Sequence, residues 1–474
     1  QGLRGFGART AERLAQSLRD LRARPQRFRL ADAEQIVEPL LAHLRDAPGL
    51  ERIEVAGSFR RRRETVGDID LLAICADAPP VIERFTSYPG AVRVEAAGRS
   101  RGAIVLGCGM HVDLRVLPRR SFGAALHYFT GSKAHNIAVR RLGVEHGLRI
   151  SEYGVFRLPK TGSGAGRRIG GETEEEVFAA VGMDWVPPEL REDRGEIAAA
   201  LEHRLPALVE LADIRGDLQM HTEWSDGRAT IEEMALACEA RGYAYMAITD
   251  HSASATIARG LTARDLAAQC REVARVRRRV PGIRILHGLE VDIRRDGSLD
   301  LADEWLARLD LIVISVHSAM GMERDAMTRR VLRALAHPAV HILAHPTGRL
   351  IGEREPIAID MEAVFRAAAQ AGVAVEVNAQ PDRLDLDDVL VRRARELGAR
   401  IAIDSDAHSA DTLRFMRHGV DQARRGWIEA ADVVNTWTRA RLERWLSAGR
   451  ALRKPSRRPR PRRRTARLIR RAAG

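Results

Sequence analysis

From Gly216 to His408 the sequence repeats one pattern seven times, a short apolar run followed by a helical stretch. The runs are DLQMHT, YAYMAITDHS, IRILHGLEVDI, LDLIVISVHS, VHILAHPTG, VAVEVNAQ and RIAIDSDAHS. Strands that alternate with helices pair in parallel, because each helix carries the chain back to the same edge of the sheet. Seven such units in series predict a parallel sheet closed into a barrel.

Polar residues gather where these runs end. His221 with Asp226, His251, Glu290, His317, His345, and Asp406 with His408 all fall at predicted C-terminal strand ends. In parallel α/β barrels that end carries the active site. One histidine is usually structural or a surface residue, but five histidines at five different strand ends ask for a common cause. Imidazoles and carboxylates without thiolates suit zinc, manganese or iron, and this many ligands imply more than one ion.

The chain before Gly216 has another texture, and VAGSFRRRRETVGDIDLLAIC, residues 55–75, sets a physical problem. Its second half reads as a buried strand, yet Asp68 and Asp70 lie two apart and therefore face the same side. Like charges side by side repel, and burying one unpaired is costly. Asp113 stands in a second apolar strand, HVDLRVL. If the two strands pair, three carboxylates converge, which divalent cations would neutralise, Mg²⁺ being bound by carboxylates together with substrate phosphates. Two such ions suit in-line displacement, one activating a hydroxyl and the other stabilising a leaving pyrophosphate. Upstream, Gly57 and Ser58 would let backbone N–H and a hydroxyl approach a triphosphate, with an arginine balancing its charge. A D-x-D strand alone is as readily a solvated edge; the Gly-Ser turn before it and Asp113 after it remove that reading.

At 474 residues the chain is long enough for two or three domains, and 45% hydrophobic with 30% charged residues is ordinary for a soluble protein. The net charge of +13 is concentrated: residues 450–474 hold twelve Lys/Arg and no acid, leaving the body close to neutral. Any nucleic-acid surface in the folded part is therefore a local patch. That tail, PSRRPRPRRRTARLIRR, is expected to be disordered and to add sequence-independent, salt-sensitive DNA affinity. Cys75, Cys108, Cys238 and Cys270 form no CxxC pair, which fits a reducing compartment and argues against a disulfide framework. No apolar run approaches the ~18–20 residues that span a bilayer, and no signal peptide is visible. The chain opens on Gln1, inside what reads as a helical hairpin, so upstream sequence is expected. GLRGFGART would present backbone N–H groups to a phosphate at the start of a helix, and KTGSGAGRRIGG, residues 160–171, reads as a glycine-rich loop.

The GS…GDID pattern resembles the broad nucleotidyltransferase superfamily. GSFRRR, VGDIDLL, VDLRV and FGAALHYFTGSKAHN, in that order, narrow the resemblance to family X DNA polymerases, which include polymerase beta. YFTGSKAHNIAVRRLGVEHGLRISEYGVF, residues 128–156, is similar to that family's thumb, and the resemblance covers residues 1–185. It implies an α+β palm with a helical thumb. Asp68 and Asp70 would hold two Mg²⁺ or Mn²⁺ ions, with Asp113 holding the catalytic one near the primer 3′-hydroxyl. Gly57, Ser58, Arg61 and Gly67 would serve the triphosphate. Tyr128 and Phe129 would line the sugar pocket beside the Gly131–Ser132 turn. Asn136 would contact the incoming nucleotide and Arg140 the template minor groove, while Gly5 and Gly7 would belong to a helix-hairpin-helix gripping DNA. The family's small N-terminal domain, which binds the 5′ end of a gap, is not seen here, so gap preference and lyase activity are not carried over.

HTEWSDG, TDHS, GLEVDI, SVHS, AHP and SDAH, in that order over about 216–430, resemble the PHP (polymerase and histidinol phosphatase) family. That resemblance implies a multidomain α/β chain ending in a distorted (β/α)7 barrel with up to three Zn²⁺ or Mn²⁺ ions for phosphoester hydrolysis. The ligands would be His221, Asp226, His251, Glu290, His317, His345, Asp406 and His408. The family usually begins His-x-His, whereas GDLQMHT places Gln219 first. An amide oxygen can ligate a hard cation but is a weaker donor to zinc, so an active nuclease with altered metal preference is expected. The implied order is a partial helix-hairpin-helix (1–30), palm (31–120), thumb (121–186), linker (187–215), PHP domain (216–448) and basic tail (449–474).

Together these features resemble the bacterial family X polymerases that carry a PHP barrel. They imply a cytoplasmic, nucleoid-associated repair enzyme, expected to be a monomer without membrane attachment. It would fill short gaps in primer–template DNA from dNTPs, as in base excision repair, and trim 3′ ends as a 3′–5′ exonuclease. A small-molecule phosphatase would have no use for residues 1–160, and a decayed DNA-end-binding module would have no reason to keep three mutually repelling aspartates. A polymerase with a silent barrel remains the alternative that Gln219 raises.

Overall fold

The computed structural model describes residues 26–159 and 166–451. Gly5 and Gly7, with the hairpin expected around them, and the chain beyond Ala451 lie outside the described residues.

The first unit is built on a five-stranded sheet in the spatial order Leu50–Val55, Asp68–Cys75, His111–Val116, Arg101–Leu106, Ala91–Ala97. Only the Asp68–Cys75 and His111–Val116 pair is parallel; the other three pairings are antiparallel. Alternation along Asp68–Cys75 divides its side chains between two environments. Ile69, Leu71 and Ala73 enter a core shared with the helices Leu30–Arg45 and Ala78–Thr86. On the opposite face Leu72 and Ile74 pack with Phe122, Ala125 and Leu126 of the helix Phe122–Thr130. Asp68 and Asp70 occupy that same face nearer the strand's start, where Gly57 of the short helix Gly57–Arg60 comes against Asp70. One strand thus carries a packed half and a polar half.

Beyond Phe122–Thr130 the chain forms the helix Lys133–Glu145 and a three-stranded antiparallel sheet, Leu148–Ser151, Gly154–Arg157 and Arg167–Gly170. The loop expected over 160–171 is therefore a strand in its second half. A Cβ on Gly154 would lie 2.9 Å from the Gly170 carbonyl oxygen, so these glycines serve close backbone approach as well as turning. The segment that follows carries the helix Glu196–Leu201, and its Arg191 is fully buried.

From Gly216 seven parallel strands stand side by side in chain order: Gly216–Asp217, Tyr245–Ile248, Arg284–Asp292, Leu311–Ser315, Ile342–Leu343, Ala374–Asn378 and Arg400–Asp404. The first and last meet through a parallel bridge of Met220 with Ala407 and a 2.8 Å hydrogen bond from Leu218 N–H to Asp404 Oδ1. Asn435 Nδ2 reinforces the closure, donating to the Gly216 carbonyl and to Asp404. Successive residues of Tyr245–Ile248 enter different clusters. Met246 and Ile248 pack with residues of the surrounding helices, while Tyr245 and Ala247 join a smaller core shared with other strands. Trp437, Leu442 and Leu446 from the C-terminal segment belong to that smaller core, and the Tyr245 hydroxyl donates to the Asn435 carbonyl at 2.8 Å.

The two units meet along a seam of arginines and acids. Arg62 donates to Asp421 and Glu34, each at 2.7 Å, joining the barrel helix Met416–Arg425 to the helix Leu30–Arg45. Arg424 reaches Glu189 at 2.7 Å, and Arg349 reaches Glu64 at 2.7 Å. Replacing Arg62 by Met leaves Asp421, 19% exposed, without this partner, which is expected to cost roughly 2 kcal/mol. The first calorimetric transition should fall by a few degrees; an unchanged thermogram would show that this pair does not hold the seam.

Candidate active sites

Asp70 and Asp113 are direct neighbours in the parallel pairing, and Asp68 lies on the same face of its strand. Burial, with the charges of Asp68 and Asp113, pushes the Asp70 carboxyl up to about 6. Arg101, one strand further on, donates to Asp113 Oδ1 at 2.9 Å. The backbone approaches this cluster at Gly57, where φ is +64° and an added Cβ would sit 2.7 Å from Asp70 Oδ2. Both conditions favour glycine. Ser58 follows in the short helix Gly57–Arg60, and Gly67 directly precedes Asp68.

Arg61 donates through Nη1 to the Thr130 carbonyl at 2.5 Å and through Nε to Glu192 at 3.1 Å. A Cβ on Gly131, φ +71°, would lie 3.0 Å from that Nη1, so the Gly131–Ser132 turn is pressed against the guanidinium. Ser132 caps the helix Lys133–Glu145 by accepting from His135 N–H. Asn136 donates to the Tyr128 carbonyl at 2.7 Å, which leaves its Oδ1 buried without a partner. Tyr128 and Phe129 stand edge to face with ring centroids 5.1 Å apart, and Arg115 covers the Phe129 ring. Arg140 is exposed and lines a groove of about 480 Å³ with Ile137, Arg141 and Val144. The strand register brings Asp68, Asp70 and Asp113 together with Gly57 against Asp70, Arg61 contacts the Thr130–Gly131 turn, Arg140 lies on the exposed groove, and Gly5 and Gly7 fall outside the described residues.

The second cluster lies at the strand ends of the barrel. Ligand atoms of His221, Asp226, His251 and His408 all lie within 4.8 Å of one another, as do those of His251, Glu290 and His317. His221 Nε2 approaches Asp406 Oδ1 at 3.0 Å, and His345 Nε2 approaches Glu290 Oε1 at 3.0 Å. The His221 ring stacks on both His251 and His408 at 4.4 Å between centroids. Burial opposes positive charge here, yet the carboxylates of Glu290 and Asp226 push His251 up to about 9. Asp226 and Asp406 do the same for His408, against burial. His345 and Asp406 adopt positive φ, +25° and +50°, a strained conformation that persists where surrounding structure holds it.

The donor set fits metal ions. Among the described residues several lone-pair atoms are buried without hydrogen-bond partners, including Nδ1 of His221, of His251 and of His345, and Oε2 of Glu290. Left uncoordinated, each would lose its hydration without return. Gln219 joins them, since it is fully buried and neither its Oε1 nor its Nε2 has a partner.

Sequence reading passed over three supports of this centre. Asp292 accepts from His317 Nδ1 at 2.6 Å and so fixes which ring nitrogen is free to ligate. Asn378 donates to Asp406 Oδ2 at 3.0 Å. Arg383 lines the cavity of about 600 Å³ in front of the histidines. The GLEVDI and NAQ motifs contained the first two, but an arginine in the loop QPDRLD carried no signal before the fold brought it there.

Residues 125–192 match the DNA polymerase beta thumb family, and residues 217–380 match the PHP domain family. The chain is 38% identical over 448 residues to the DNA polymerase/3′-5′ exonuclease PolX of Bacillus subtilis, covering 94% of this chain and 77% of that protein. It is 29% identical over 230 residues to a probable phosphatase of Syntrophotalea carbinolica, covering 46% of this chain and 90% of the relative. A probable phosphatase of a Thermoanaerobacter species is 32% identical over 148 residues, 29% of this chain and 58% of the relative.

The crowding of carboxylates has a thermodynamic signature. With a folded pKa of about 6, against roughly 4 for an unfolded aspartate, Asp70 favours folding only while protonated. That contribution is present at pH ~4 and is lost as pH rises through ~6. In metal-stripped protein, Asp70→Asn is expected to add about 1–2 kcal/mol at pH 7.5, shrinking towards zero near pH 4. Thermal unfolding at the two pH values checks it, and an equal gain at both would contradict the assignment to charge.

Proposed function

The chain belongs to the family X DNA polymerases that carry a PHP domain, and from that premise we propose how its two sites divide the chemistry. The sheet site extends a primer 3′ end from dNTPs on primer–template or short-gap DNA, and the barrel site removes nucleotides from 3′ ends. The observation that carries the reading is the direct register of Asp70 with Asp113, with the Gly57 backbone close against Asp70.

Asp68, Asp70 and Asp113 fit Mg²⁺ or Mn²⁺, and the barrel's imidazole and carboxylate set fits Zn²⁺ or Mn²⁺. Bound divalent cations lower the pKa of an attacking hydroxyl or water and offset charge that develops on the phosphoryl oxygens. In the sheet site Asp68, Asp70 and Asp113 would hold the ions. Ser58, the Gly57 backbone and Arg61 hold the triphosphate, and Tyr128 and Phe129 set the space for the sugar. Asn136 Oδ1, buried and unpartnered, is an acceptor facing no protein donor, which supports its contact with the nucleotide. Arg140 meets the template from its exposed helix face.

In the barrel His221, Asp226, His251, Glu290, His317, His345, Asp406 and His408 hold the ions. Arg383, in the same cavity, grips the phosphate next to the scissile bond as a charge-assisted donor. Gln219 stands among the unpartnered buried donors and contributes at most an amide oxygen, a weaker ligand for zinc than the imidazole usual there.

The test uses a 5′-labelled primer–template with a short gap, in Mn²⁺, with and without dNTPs. Lengthening with dNTPs and shortening without them are expected. Asp70→Ala should reduce lengthening, and His408→Ala shortening, each by about a hundredfold or more while sparing the other. Lengthening alone would make the barrel a scaffold, and no change in either lane would overturn the reading. Separately, Gln219→His is expected to raise the zinc or manganese retained per chain after gel filtration, measured by elemental analysis. Unchanged metal content would mean that position 219 is not a ligand position.

A further inference from the structure

Arg425 is only 2% exposed and belongs to the barrel helix Met416–Arg425, yet most of its hydrogen bonds leave the barrel. Its Nη1 donates to the Arg61 carbonyl at 2.7 Å and to Glu192 Oε1 at 3.2 Å. Glu192 Oε1 is also the acceptor for Arg61 Nε at 3.1 Å. Nη2 of Arg425 is anchored to Asp388 at 2.6 Å inside the barrel, and Asp388 takes Arg194 as well, at 3.0 Å. Arg61 is therefore held at its main chain and at its side chain by one arginine of the other unit, directly and through one carboxylate.

The rest of the Arg61 guanidinium is also accounted for. Nη1 is committed to the Thr130 carbonyl, and the Gly131 turn presses on it. Nη2 has no hydrogen-bond partner among the described residues. Two of the three nitrogens are fixed by the protein, and the third is left free for a ligand. A flexible side chain is thereby pre-organised, which reduces the ordering cost when a polyphosphate arrives.

We propose that Arg425 is a positioning residue for nucleotidyl transfer, through which the docked barrel sets the affinity of the polymerase site for the incoming triphosphate. This rests on the reading of Arg61 as a triphosphate ligand. The barrel then has a second role, independent of its own chemistry, as a brace for the nucleotide clamp.

The test is made on the full chain, reading the KM for dNTP, kcat for extension and the rate of 3′-end removal. Arg425→Gln is expected to raise KM for dNTP about tenfold or more, the worth of one charge-assisted hydrogen bond, with little change in kcat or in 3′-end removal. Arg425→Lys should recover part of the loss. Glu192→Ala should raise KM similarly, and the double variant should be no worse than the poorer single one, because both cut the same chain of contacts. If Arg425→Gln does not fold, Glu192→Ala with Arg425→Lys carries the test. An unchanged KM in these variants, while Arg61→Met raises it, would overturn the coupling and leave the Arg61 reading standing. An unchanged KM in Arg61→Met would overturn that reading itself.

Discussion

Carboxylates brought together out of water repel, and this chain keeps that repulsion at two places instead of relieving it. Asp70 is placed opposite Asp113 by strand register and crowded by Asp68, with only Arg101 answering Asp113 directly. In the barrel Asp226, Glu290 and Asp406 are answered by histidines that draw protons they would otherwise give up. At the sheet site the protein could lower its energy by substituting an amide for Asp70. Retaining the acids makes sense where cations complete the site, so stability is given up locally for an affinity that metal restores.

The cost is bearable because the surroundings are rigid. Each acid cluster sits at the end of a strand whose remaining residues are packed, Leu72 and Ile74 behind Asp70, and the smaller barrel core of Tyr245, Leu311 and Ile342 with strands that end at the histidines. The strained backbone at His345 persists for the same reason, since the strand preceding it is paired on each side, and Asp406 adjoins the Met220–Ala407 bridge that closes the barrel. Register does the positioning, and side-chain hydrogen bonds such as His317 to Asp292 refine it.

What could be read from the sequence follows the range of the interaction. Period-two alternation places Asp68 and Asp70 on one face, and the repeated strand–helix pattern places histidines at one end of a barrel; both are local rules. The sequence reading took a glycine-rich loop through residue 171, where Arg167–Gly170 forms a strand, because glycine at close backbone approach looks the same as glycine in a turn. Asp292 gives no local signal because its partner His317 stands at the end of the neighbouring strand, and Arg383 gives none because a loop carries it into the cavity. Of the four arginines at 60–63 the motif assigns only Arg61, to the triphosphate. Arg62 in fact finds Asp421, 359 residues away, a pairing no spacing rule reaches. Gly5, Gly7 and the basic tail fall outside the described residues and are untouched by the comparison.

The seam also works in the other direction. Arg349 of the barrel pairs with Glu64 of the first unit and donates to the carbonyls of Arg383 and Leu384. Those carbonyls belong to the loop that carries Arg383 into the barrel's cavity. One arginine thus ties the loop of the barrel site to the sheet unit, while Arg425 ties the Arg61 segment of the sheet site to the barrel. An interface made of reciprocal clamps of this kind, each gripping a segment that carries a site residue, is more than a means of keeping two domains together. Guanidinium groups suit it because their planar forks can satisfy a carboxylate and a carbonyl at once and stay charged when buried. Lysine at either position would keep the charge and lose the fork, so the geometry of each site depends on which cation stands at the seam.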